Sequence, residues 1–347
     1  MRFISATFVS FLLFHEVTAE CPAKCNDDCT SVRIGGSSLT RSFVEESVSA
    51  LAQQANAKCI DFSSYDNSSS GNSLRRLMGT QSPTKDVVFT GREATEGDYD
   101  GSGCDPMSFP DSCCGEAIPG PFAGAGFQLG IDSIHFFVSS GDHPAAGQDV
   151  TASLLQDIVD NYFGASPITW GQAFPAVSDF GDLENEQVIL IMGNPGTGTR
   201  ASVEGLTGVT FTDAIGNSIP GVGNSSAQRN AVFNDDQNLG FFSLTQIFPL
   251  SGVSPVFGPG TFLTYEGKDY LDSDYALKRA FRIHINTPND ECPTDSDVCN
   301  GIKLLVKQLI REDTTVNFDD HQIEPLDAAT RDAQMSVVNT LCNPAGQ

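Results

Sequence analysis

The chain has 347 residues, with 44 acidic against 19 basic side chains and a formal net charge of −25. Such an excess of negative charge repels nucleic acid and anionic membrane surfaces, and the length favours two α/β lobes over one. Ten cysteines, an even number, follow an opening that reads as a secretory signal: Met1-Arg2, an apolar run from Phe3 to Phe14, then Val17-Thr-Ala19 before Glu20.

Residues 1–19 are therefore expected to be removed, leaving a secreted or periplasmic chain with its cysteines in disulfides. Residues 20–30 form a Cys-rich segment, in which Cys21, Cys25 and Cys29 lack a Cys-x2-Cys knuckle and a placed histidine. Disulfides are thus preferred to zinc there. Ser31–Ile34 is predicted as a short strand, and Thr40–Ala57 as an amphipathic helix with Phe43, Val48, Leu51 and Ala55 on one side. Asp86–Phe89 reads as a buried strand. The stretch from Tyr99 to Ala125, with adjacent Cys113 and Cys114, reads as a disulfide-tied insertion. Just before it, Glu96–Gly101 has the acidic spacing of a calcium loop, but Met107 stands where the closing Glu belongs, so a solvated turn is expected.

Ser133–Val138 is the next predicted strand, and Thr151–Phe163 a helix with Leu154, Leu155, Ile158, Val159 and Tyr162 as its apolar stripe. Gln187–Met192 and the run from Gly240 are strands, as is Arg279–Ile285. Gly301–Arg311 is a helix with Ile302, Leu305, Val306 and Leu309 facing inward. Cys292 and Cys299 bracket one loop and are the best single pairing. Strands alternating with helices indicate α/β architecture with mainly parallel pairing.

Chemistry concentrates in loops. Gly193-Asn-Pro-Gly196-Thr-Gly198-Thr-Arg200 joins a β-branched strand to a helix. Its glycines allow close backbone approach, Thr197 or Thr199 is placed to cap the helix, and the helix start with Arg200 suits an oxyanion. The loop has part of the nucleotide P-loop spacing, but Thr199 stands where that motif requires Lys. Gly35-Gly-Ser-Ser38-Leu-Thr40 repeats the pattern, and so does Tyr65 through Ser70-Gly71. Taken singly, each of these two loops reads as a helix cap. Three helix starts brought onto one small anion can hold it with few charged residues.

These loops occur in order with Asp86-Val-Val-Phe-Thr-Gly-Arg92, Asp132-Ser-Ile-His-Phe-Phe-Val138, Tyr162-Phe-Gly-x3-Ile-Thr-Trp170 and Leu239-Gly-Phe-Phe-Ser-Leu244. Together they resemble the phosphate-binding proteins of ABC importers, which have the type II periplasmic-binding-protein fold. The resemblance spans about Val32 to Leu326. It implies an α/β chain of two lobes, residues 31–132 with 281–342 and residues 133–280, built of mixed sheets with flanking helices. Two crossing strands, near Ile131–Val138 and Phe281–Asn286, would form the hinge. It also implies a monomer that holds inorganic phosphate in its cleft, with no catalysis, no cofactor and a membrane transporter as partner.

By the same resemblance the ligands fall on Ser38 and Leu39, on Ser69 or Ser70, and on Thr197, Gly198, Thr199 and Arg200. Some relatives carry an aspartate that accepts the proton of hydrogen phosphate, and here that position falls at Thr90-Gly91, followed by Arg92. Asp132 is either a substitute acceptor or a structural residue of the crossing strand. Selection of phosphate over sulfate or molybdate-like anions is therefore open. Two glycosylation sequons occur, at Asn67 and Asn224. A glycan on Asn67 would crowd the cleft, so that sequon is expected to be unused.

Two other classes compete. The cysteine load and the insertion would suit a surface or matrix protein that uses the same scaffold to recognise a partner. A hydrolase is disfavoured, because there is no Gly-x-Ser-x-Gly elbow. Outside the signal, His135, His143, His284 and His321 form no metal or catalytic pattern.

Overall fold

A computed structural model describes residues 30–54, 60–77, 82, 85–94, 126–193, 197–212, 225–247, 262–285, 297–311, 318 and 323–341. The expected signal, residues 20–29 of the Cys-rich start, the acidic turn, the insertion, Asn224 and Cys292 lie outside the described residues. Cys299 is buried and disulfide-bonded, and the other nine cysteines lie outside the described residues.

The first lobe opens with strands β1 (Thr30–Val32) and β2 (Ile34–Gly36) and helix α1 (Arg41–Ala52). It continues with β3 (Ile60–Phe62), β4 (Asp66–Asn67), α2 (Ser70–Leu77) and β5 (Val87–Thr90). The eleven-residue strand β6 (Phe127–Phe137) leads into β7 (Asp149–Val150), α3 (Ala152–Asn161), α4 (Trp170–Ala173) and β8 (Ile189–Ile191). Then come α5 (Gly198–Thr207), α6 (Ser225–Phe233), β9 (Asn238–Ser243), α7 (Leu244–Ile247) and β10 (Phe262–Tyr265). Strand β11 (Lys278–Ile285) and helices α8 (Asp297–Ile310) and α9 (Ala328–Thr340) complete the chain.

The predicted elements appear with shifted ends. Thr151 caps α3 by accepting from the Leu154 amide, so the helix starts one residue late. Strand β6 starts six residues before the predicted Ser133, because alternate residues from Phe127 already pack inward. Pairing is mixed rather than mainly parallel. Strands β2, β4 and β5 run parallel, as do β8 with β9, but β6 and β11 pair antiparallel with each other and with β9, β10 and β5.

Two cores result. One gathers Ile34, Phe43, Phe89, Phe127, Phe281, Leu305 and Val338 from β2, α1, β5, β6, β11, α8 and α9. The other gathers Ile134, Phe136, Leu155, Trp170, Leu190, Val203, Phe241 and Leu277. Strand β6 serves both, pairing with β11 over Phe127–Ser133 and with β9 over Ile134–Phe137. The second crossing is at the start of β11, where Leu277 belongs to one core and Phe281 to the other. Asp132 and Arg279 face each other in register at this double crossing.

Among the described residues, no helix is long and apolar enough to cross a membrane, and no cluster of His, Cys, Asp or Glu could hold a metal ion.

Candidate functional site

Because β2, β4 and β5 are parallel, their C-terminal ends meet at one edge of the sheet, facing the second lobe. Ligands of α/β proteins bind at such edges. Gly36 ends β2 where a Cβ would strike the Phe89 carbonyl and the Tyr65 hydroxyl, so the chain can turn here only with glycine. The turn is then fixed by the Ser37 amide donating to Phe89 O (2.8 Å) and by Tyr65 Oη donating to Ser37 O (2.9 Å). Burial raises the Tyr65 pKa, so the phenol keeps the proton this bond uses.

The second loop follows β4. Ser68 N donates to Gly36 O at 2.8 Å, and Ser69 Oγ accepts from the Asn72 amide at 3.3 Å as a cap of α2. Ser70 Oγ accepts from Gly91 N at 3.1 Å, which ties the start of α2 to the end of β5. The third loop leads from β8 into α5. Thr197 occupies the N-cap position of α5, but its hydroxyl makes no cap bond and is buried without a hydrogen-bond partner.

These three loops enclose a cavity of about 220 Å³. Ser37, Ser38, Leu39 and Asn67–Ser70 line one side, Thr197–Thr199 and Gln228 the other, with Gly91 and Arg279 between them. Arg279 is the one charged group among the described lining residues. The turn that leads into α1 and the first residues of α2 and α5 therefore meet at one hollow, and helix starts carry amides that lack intrahelical partners.

Arg279 is 8% exposed, and its guanidinium is held on several sides. Its Nε donates to Asp132 Oδ2 at 2.8 Å, Nη2 to Thr199 Oγ1 at 3.1 Å and Nη1 to Ser202 Oγ at 3.3 Å. Asp132 is fully buried, and its other oxygen accepts from Ser243 Oγ at 2.6 Å. Burial pushes the Asp132 carboxyl above the usual carboxylate range, against the opposing pull of Arg279 and Ser243.

Of the residues singled out from sequence, Ser38, Leu39, Ser69, Ser70, Thr197, Gly198 and Thr199 line the cavity. Four do not. Arg200 lies at the start of α5, but its Nη2 donates to Phe211 O at 2.6 Å and its Nε to Glu204 Oε1 at 3.3 Å. It is 2% exposed inside the second lobe and braces α5 against the following loop. Thr90 is also buried, donating to Arg92 O at 2.7 Å and bonded to His284 Nε2 at 3.1 Å. The Arg92 guanidinium turns outward to the Glu93 carbonyl, 2.8 Å away. Asp132 has both carboxylate oxygens engaged, one by Arg279 and one by Ser243, and is not among the lining residues.

Sequence reasoning missed Arg279 and Gln228. Arg279 stands in a strand otherwise alternating buried apolar residues, and only the register shows it opposite the acid of the other crossing strand.

No protein-family model matches the chain, and no curated protein matches it. Solved structures do. A Clostridium perfringens protein assigned as a phosphate ABC transporter substrate-binding protein, with bound phosphate, superimposes at TM-score 0.57 and 13% identity. That match covers 86% of this chain and 100% of the other. A phosphate-binding protein from Stenotrophomonas maltophilia gives TM-score 0.56 at 12% identity, covering 88% and 93%. The high-affinity periplasmic phosphate-binding protein PfluDING, bound with phosphate, gives 0.54 at 13% over the same shares. What these proteins share with this chain is architecture: two α/β lobes joined by crossing strands, the type II periplasmic-binding-protein fold.

Proposed function

We propose that this chain is a solute-binding protein that captures inorganic phosphate, or another tetrahedral oxyanion of that size, between its lobes without chemical change. One observation carries the reading. Three helix starts, their hydroxyls and one buried arginine surround a single cavity, and a buried Thr197 hydroxyl there lacks a partner. A donor-rich hollow with one cation suits a compact anion. The similar solved structures that hold phosphate support the choice of ion. A secreted or periplasmic location and delivery to a membrane transporter follow from the same reading. So does a monomer.

No acidic side chain is among the described lining residues, so a protonated oxygen of the ligand would meet hydroxyls and the amides of Asn67 and Gln228 instead. Sulfate is therefore expected to compete with phosphate in the same titration.

Arg279→Ala should weaken phosphate binding by at least 2 kcal/mol, roughly thirtyfold or more, as for a buried charge-assisted bond. Arg200→Ala, by contrast, should lower the melting temperature. Calorimetry on protein stripped of carried-over ligand decides. If wild type binds no oxyanion, the transport reading falls and partner recognition on the same scaffold takes its place. If Arg279→Ala binds as wild type does, the arginine is not in the site.

A further inference from the structure

Gly91 is where the two lobes and the hinge meet. Its amide donates to Ser70 Oγ in the first lobe at 3.1 Å, and its carbonyl accepts from Ser202 Oγ on α5 of the second at 3.1 Å. A methyl group on Gly91 would lie 3.0 Å from Arg279 Nη1, so the peptide packs directly on the guanidinium. The Ser202 hydroxyl also lies 2.7 Å from Gly198 O and accepts from Arg279 Nη1. Gly198 in turn abuts Ser70, where an added Cβ would stand 2.6 Å from Oγ. The Ser202–Gly91 bond and the approach of Gly198 to Ser70 could not persist if α5 moved away from β5.

We propose that Ser202 is a latch residue: its bond to Gly91 O holds the lobes closed, and Arg279, shared between Ser202 and the cavity, couples that bond to oxyanion capture. Ser202 does not line the cavity, so it acts on the bound state through geometry rather than by touching the ion. An anion that draws the guanidinium into place also presents Nη1 to the Ser202 oxygen, whose single proton is shared between the Gly198 carbonyl of its own helix and the Gly91 carbonyl across the lobes. Closing rewards binding, and binding rewards closing.

This inference rests on the oxyanion reading, and its test has an arm that does not. Stopped-flow binding of inorganic phosphate to Ser202→Ala should show release about tenfold faster, with association within twofold of wild type. Ser202→Thr, which keeps the hydroxyl, should restore slow release. In ligand-free protein, small-angle X-ray scattering should give Ser202→Ala a larger radius of gyration than wild type or Ser202→Thr. An unchanged release rate together with an unchanged scattering profile overturns the latch. If wild type binds no phosphate, the oxyanion reading fails while scattering alone still decides the latch.

Discussion

At the scale of single residues, the arginine beside the glycine loop and the arginine in the cavity are different residues. Arg200 follows Gly198 in sequence, but as the third residue of α5 it turns back into its own lobe, toward Glu204 and the Phe211 carbonyl. Arg279 reaches the cavity from a strand some eighty positions later because its partner, Asp132, stands opposite it across the hinge. The hydroxyl and glycine loops were legible because turn chemistry is local. The arginine was not, because strand register decides it.

The histidines give a second residue-scale contrast. His135 is 1% exposed and packed by Tyr270, Tyr275 and Phe262, and burial pushes its pKa down to about 3. The unfolded chain binds that proton near the ordinary imidazole pKa, so the contribution of His135 is fully present above pH 6.5 and lost as pH falls toward 3. Stability should then decline by about 1.4 kcal/mol per pH unit across this window from His135 alone. His135→Phe should flatten that slope in urea unfolding series, and a slope identical to wild type would show that His135 takes no part.

At the scale of elements, α5 carries two glycines with opposite surroundings. Gly198 is confined by Ser70 of the other lobe, whereas a Cβ on Gly205 would meet nothing within 4 Å. Gly205→Ala should leave phosphate affinity unchanged and stabilise the helix by up to about 1 kcal/mol. Gly198→Ala should keep the fold, since the collision lies between lobes, and weaken phosphate binding tenfold or more by holding α5 away from α2. Equal affinities for the two variants would mean that α5 and α2 need not approach. Most elements were visible in the periodicity of their apolar residues. Strand β10 and helix α9 were not singled out. Strand β10 is four residues long, and the few buried residues of α9 include Gln334, whose amide donates to Gln128 O of β6 at 3.1 Å. A buried polar residue conceals a helix face from any hydrophobic pattern.

At the scale of the whole molecule, the charge of −25 and the proposed anion site oppose each other. The donors act over a few ångströms, while the surface field acts over a Debye length of about 10 Å at 0.1 M salt. Phosphate should therefore associate faster as inert monovalent salt is raised from low ionic strength, with release little changed. Stopped-flow rates across a salt series test this, and association that slows with salt would mean that the cavity mouth is locally positive.

The uninterrupted course of β6 through both cores limits how this protein can move. Halves tethered by slack loops would wander through many relative orientations, and capture would have to freeze that freedom. A ribbon paired with β11 over Phe127–Ser133 and with β9 over Ile134–Phe137 should permit only a shallow flexing about its midpoint, close to Asp132. The apo molecule should thus explore a narrow arc, and on the proposed reading little configurational disorder would be surrendered when the jaws meet.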